Sequence, residues 1–136
     1  MKHLHTLLAL GASLLMAGCA SETIQLEPNR TYEVEWIGER TLIENSYLTI
    51  PLDDDGRAFG TAGCNHWFAS FSIKEQQIHF EQPGSTLMAC APALMEQEQR
   101  FLQALSKVER WDVSPTEQLR LWPAEGKPIR MWPEEG

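Results

Sequence analysis

The chain has 136 residues, with 19 Asp plus Glu against 11 Lys plus Arg, and a formal net charge of −8 at pH 7. That balance argues against recognition of nucleic acid or anionic lipid headgroups through a basic patch. The length suits a single domain with a core of its own.

Taken in chain order, the first segment reads Met1-Lys2-His3, then an apolar run from Leu4 to Met16 interrupted by His5, Thr6 and Ser13. A short basic start before such a run is the pattern of an export signal. The run falls short of the roughly 20 apolar residues that a spanning helix needs. It ends in Leu15-Met16-Ala17-Gly18-Cys19, which resembles the lipobox of bacterial lipoproteins, with Met16 where leucine is commoner. The resemblance implies that residues 1–18 are a lipoprotein signal peptide and that Cys19 becomes the lipidated N-terminus. Residue 20 is Ala rather than Asp, which in enteric-type bacteria implies transfer to the outer membrane. Stable anchoring needs two or more acyl chains, at about 0.8 kcal/mol per buried methylene, and a mature lipoprotein carries three. Without residues 1–18 the chain keeps 118 residues and ten Lys plus Arg against nineteen Asp plus Glu. Residues 19–29 are then the lipidated cysteine and a tether that lets the domain stand off the membrane.

From residue 30 the pattern becomes that of a folded domain extending to residue 136. Tyr32, Val34 and Trp36 alternate with Glu33, Glu35 and Ile37, which predicts a half-buried strand. A second strand runs from Tyr47 to Leu52, with Leu48, Ile50 and Leu52 in phase. Asp53-Asp54-Asp55-Gly56 is a hairpin turn leading into Arg57–Thr61. Trp67, Ala69, Phe71 and Ile73 mark a fourth strand, and Ile78 and Phe80 its return, which Pro83-Gly84-Ser85-Thr86 breaks. The period then changes. Leu94, Phe101, Leu105 and Val108 recur at helical spacing through Pro92–Lys107, with Pro92 suited to the first turn and Glu96 and Glu98 near the positive end. Strands follow at Val108–Val113, Gln118–Trp122 and Pro128–Trp132, separated by turn residues. The expected fold class is α+β: a curled, barrel-like antiparallel sheet with one main helix between strands 5 and 6, closing an open end or side.

Lipidation of Cys19 would leave Cys64 and Cys90 as a pair in an oxidising compartment, where disulfides persist. Such a bridge closes a loop of about 27 residues and is worth roughly 3.5 kcal/mol on chain-entropy grounds. Two reduced, buried cysteines, or a metal site with His66, are the alternatives; zinc would then lack a fourth protein ligand, and there is no Cys-x-x-Cys spacing. A Cys64–His66 nucleophile pair would need an orienting third group and an oxyanion site, and neither is marked. The Asp53–Gly56 turn lacks the alternating ligands of an EF-hand loop. No catalytic residue, metal or cofactor is therefore expected. Of the five tryptophans, Trp36, Trp67, Trp122 and Trp132 are candidates for an apolar ligand surface, although filling a small core is the plainer role for them.

Two segments are distinctive together: Gly60-Thr61-Ala62-Gly63-Cys64-Asn65 before an aromatic strand, and Thr86-Leu87-Met88-Ala89-Cys90 before the helix. The pair resembles the META domain family, which includes the bacterial heat-shock protein HslJ, over about residues 30–133. That resemblance implies a small α+β domain with a curved sheet and one main helix, often on a lipoprotein, with no agreed biochemical activity. It departs from the family at Ala69-Ser70-Phe71, where a glycine and an aromatic are usual. Physically, Gly60 and Gly63 allow close backbone approach or a positive φ. Asn65 and Thr86 can bond nearby backbone, so with Met88 these residues read as architectural. The expected function is a non-enzymatic, stress-related binding or structural module facing the periplasm from the outer membrane, with an envelope protein or a lipid as partner and no nucleic acid. The alternative is a pilotin-like chaperone holding an acyl chain or partner peptide in an apolar cavity.

Overall fold

The computed structural model describes residues 11–13, 26, 27 and 29–135, so most of the signal peptide, Cys19 and most of the tether lie outside the described residues. The strands are β1 (Arg30–Ile37), β2 (Arg40–Thr41), β3 (Thr49–Leu52), β4 (Arg57–Thr61), β5 (His66–Lys74) and β6 (Gln77–Ser85). Helix α1 (Pro92–Ser106) follows, and then β7 (Val108–Val113), β8 (Leu119–Pro123) and β9 (Ile129–Pro133). All pairings are antiparallel, in the order β2-β1-β9-β8-β7-β6-β5-β4, and β3 also pairs with β1. The two halves of one edge of β1 thus serve different partners: residues 30–33 pair with β3, and Trp36 and Ile37 with β2.

The sheet curls because β3 and β4, consecutive in sequence, bring its two ends together. Leu48 bridges Ala62, and the Thr61 amide donates to Thr49 Oγ1 at 3.2 Å. Gly60 is what lets this seam close: a Cβ there would lie 2.5 Å from the Thr49 carbonyl oxygen. That same carbonyl accepts the Trp67 indole N–H at 2.8 Å, which fixes a fully buried ring at the centre of the core.

Inside the curl lie Leu48, Ile50, Leu52, Trp67, Ile78, Leu121, Ile129 and Met131, none more than 2% exposed. Helix α1 adds Phe101 and Leu105, both fully buried, and Phe101 meets Trp67 edge-on with ring centroids 5.2 Å apart. Each such side chain contributes about 1.5–3 kcal/mol through removal from water. Among the described residues, the barrel-like sheet and the single helix agree with the expected fold class, but the position of the helix does not. It lies between β6 and β7, because the chain forms one strand more than the pattern predicts. That strand, β2, is two residues long and follows a tight turn in which Gly38 has φ +62°. A segment so short carries no alternation to read.

Two further corrections come from bulges. The register of β1 against β9 shifts between Val34 and Trp36, so the buried series runs Tyr32, Val34, Ile37, and Trp36 is only half-buried. One extra residue moves later side chains to the other face. The Pro83–Thr86 segment does not end β6 either. The strand continues to Ser85 across an irregularity opposite Phe68–Ser70, with Gln82 at φ +48°. Proline has no amide hydrogen to supply to the ladder, and a bulge is a place where a strand tolerates that lack.

Candidate functional site

Gly63, Cys64 and Asn65 form the connection between β4 and β5, and residues 86–91 lead from β6 into α1. Gly63 adopts φ +105°, a region that disfavours any residue with a Cβ. The turn it permits directs Cys64 towards Cys90, and the two form a disulfide with Cα atoms 6.2 Å apart. Neither sulfur is then free as a nucleophile or a metal-ligating thiolate.

Beside the disulfide, Asn65 is 4% exposed and is fully engaged. Its Oδ1 accepts the Met88 amide at 2.7 Å and the Thr86 hydroxyl at 3.0 Å. Its Nδ2 donates to Glu98 Oε2 at 2.8 Å and, more weakly, to the Met88 carbonyl at 3.4 Å. One side-chain amide therefore treats Met88 much as a neighbouring strand would. Thr86 extends the arrangement: its Oγ1 accepts the His66 amide at 3.1 Å, and its own amide donates to the His66 carbonyl at 2.9 Å.

Glu98, from the second turn of α1, completes the cluster. It is 2% exposed, and its Oε1 accepts the backbone amides of Cys64 at 3.0 Å and Asn65 at 2.6 Å. No cation faces it among the described ion pairs; three neutral N–H donors stabilise the carboxylate instead. Its neighbour Gln97 is fully buried and does the same for another loop, accepting the Ile43 amide at 2.7 Å and donating to Ser46 Oγ at 3.1 Å. Two adjacent polar residues of the helix thus pin two different loops. Glu96 and Glu98, expected near the positive helix end, lie beyond the first turn, which carries no acidic residue. The signal for Gln97 and Glu98 was their phase: four before Phe101 and four after Leu94, polar groups continue the apolar stripe.

The Cys64 and Cys90 sulfurs and a Glu98 oxygen lie within 4.8 Å of one another, so the donor nearest the sulfurs is Glu98 and not His66. His66 begins β5 on the outer side, exposed, with its ring stacked on Phe59 at 5.5 Å. The metal alternative with His66 and the Cys64–His66 pair are therefore not assembled among the described residues.

The four candidate tryptophans do not converge. Trp67 is inside the core, whereas Trp36, Trp122 and Trp132 are on the sheet's outer side among charged groups. Arg130 lies over Trp36 at 5.8 Å, and Arg110 and Arg120 lie over Trp122 at 4.7 and 5.3 Å. Trp132 is 38% exposed and donates its indole N–H to Glu35. The outer face also holds Asp112, which accepts Arg120 Nε at 2.7 Å, Arg120 Nη2 at 2.8 Å and the Trp122 indole at 2.8 Å. Partial burial pushes the Asp112 carboxyl up, but hydrogen bonds from Arg120 and Trp122 and the charges of Arg120 and Arg110 outweigh it and hold the group below its ordinary value.

A curled antiparallel sheet with one helix, pinned to that helix by a Gly-Cys-Asn turn and a Thr-x-Met-x-Cys segment, defines a small α+β domain stapled around its own motif. The META domain profile matches residues 22–136, and the chain belongs to the META domain family. The fold is similar to a solution structure of a protein from Burkholderia xenovorans, at 22% identity and a TM-score of 0.67, covering 85% of this chain and 96% of that one. A second solution structure is similar at 17% identity and a TM-score of 0.59, covering 76% and 87%. At these identities the likeness concerns the fold alone. No curated protein matches the chain.

Proposed function

We propose that this META domain chain is a non-enzymatic cell-envelope lipoprotein, anchored by Cys19 in the outer membrane, whose domain is a stress-related binding or structural module on the periplasmic side. The observation that carries the reading is the Cys64–Cys90 disulfide set within the Asn65–Thr86–Glu98 cluster. The polar atoms of the family motif are engaged in holding two loops and a helix together, so they serve architecture. A disulfide at that position suits an oxidising compartment, in keeping with an export signal. It also accounts for the other two cysteines of the sequence, in keeping with acylation of Cys19. The inner face of the sheet is filled by Trp67, Phe101, Leu105 and their neighbours, which favours a packed module over a pilotin-like carrier with an acyl chain inside the curl. Envelope fractionation with mass spectrometry of the N-terminal peptide tests this. The expected result is a chain beginning at an acylated Cys19 in the outer-membrane fraction, released as soluble protein by Cys19→Ser. An unprocessed chain in the cytoplasm with all thiols free would contradict it.

A further inference from the structure

A cavity of about 360 Å³ lies between the C-terminal half of α1, the Gly38–Glu39 turn and the loop that joins β8 to β9. Its volume is at the small end of the range of ligand pockets. Buried Ile37, Leu121 and Ile129 are among its lining residues and supply an apolar floor. The same cavity is lined by Arg100, Lys107 and Lys127, and none of the three makes an ion pair among the described residues. Arg40 also lines it, held only by a long 3.8 Å contact to Glu96 on the exposed surface. Two carboxylates, Glu39 and Glu125, face the cavity as well, so its lining carries a net excess of two positive charges.

That excess is out of character for the molecule. The chain carries 19 carboxylates against 11 cations, yet it gathers four of the cations around one apolar floor. Arg100 is half-buried where it lines the cavity, and a planar guanidinium is well matched to the oxygens of a carboxylate or phosphate.

We infer that this cavity binds a small amphiphilic anion, a phosphate or carboxylate head on a short apolar body. The head meets Arg100, Lys107 and Lys127, and the body rests on Ile37, Leu121 and Ile129. The cavity is too small for both chains of a membrane phospholipid, so the occupant is a free small molecule. The site lies apart from the Cys64–Asn65–Glu98 cluster and does not depend on how the N-terminus is anchored.

The test uses the whole protein isolated from a producing bacterium, labelled with ¹⁵N, and titrated with hexyl phosphate. Saturable amide shifts are expected at residues 37–40, 100–107 and 121–129. Inorganic phosphate and hexanol should each bind more weakly than hexyl phosphate, since each supplies half of the recognition. Arg100→Gln should weaken binding about ten-fold with the rest of the spectrum unchanged, the scale of one lost charge-assisted pair. Lys127→Gln, on an exposed loop where misfolding is not expected, should weaken it to a lesser degree. Shifts that do not saturate, or equal affinity in the wild type and in a folded Arg100→Gln variant, would overturn the inference. So would phosphatidylglycerol vesicles shifting these same residues while hexyl phosphate does not, because the occupant would then be a membrane surface.

Discussion

Glu98 and Asp112 are two carboxylates with three N–H donors each, and they play opposite parts. Glu98 is 2% exposed and is held by neutral donors from Cys64 and Asn65, 34 and 33 residues away in the chain. The Asp112 side chain is 31% exposed and is held by Arg120 and Trp122, only 8 and 10 residues away on the neighbouring strand. Removing Glu98 strands buried donors and frees a helix from a distant loop. Removing Asp112 leaves an arginine and an indole that water can reach. The number of hydrogen bonds does not decide what a group is worth; what water can replace, and how much chain the bonds tie together, does.

The largest effect should therefore come from Glu98→Ala. It leaves the Cys64 and Asn65 amides buried without acceptors and should cost about 3–5 kcal/mol, read from the urea midpoint. Replacing Cys64 and Cys90 together with Ala should cost roughly 3.5 kcal/mol by restoring freedom to the unfolded chain. That loss should appear equally in wild type treated with a reductant. Asp112→Asn should cost under about 1 kcal/mol. Its signature is in the pH dependence. A carboxyl held below its ordinary value of 3.8 stabilises the fold above that pH and loses its contribution as pH falls through the folded value. The wild type should therefore lose more stability on acidification than the Asn variant does. If Asp112→Asn proved as costly as Glu98→Ala, the contrast between the two regions would fail.

The sequence made most of this fold readable where the side-chain period survived. The strands through Trp67 and Ile78 begin in clean alternation, and the helix through Phe101 and Leu105 keeps its 3.6-residue spacing. The reading faltered where the backbone departed from the period. A two-residue strand has no alternation, the bulge at Val34–Trp36 shifts side chains that the pattern assigns, and the one opposite Phe68–Ser70 carries β6 past the expected break at Pro83. In the motif, the two glycines each found one of the two expected uses: close approach at Gly60 and positive φ at Gly63. Asn65 and Thr86 bond backbone as their chemistry allowed. Glu98 went unrecognised because a carboxylate in a helix is ordinarily a solvent-facing residue, and its donors come from a loop that only the tertiary fold brings near. Its position on the apolar stripe was the one local sign.

Asn65 and Glu98 act as one unit that clasps the motif loops to α1. A double-mutant cycle in urea unfolding, with Asn65→Ala, Glu98→Ala and the pair, measures it directly with the disulfide intact in all four proteins. A coupling of at least about 1.5 kcal/mol is expected, because either single change already disables the shared network. Losses that add to within about 0.5 kcal/mol would contradict it, and would reduce the cluster to independent contacts.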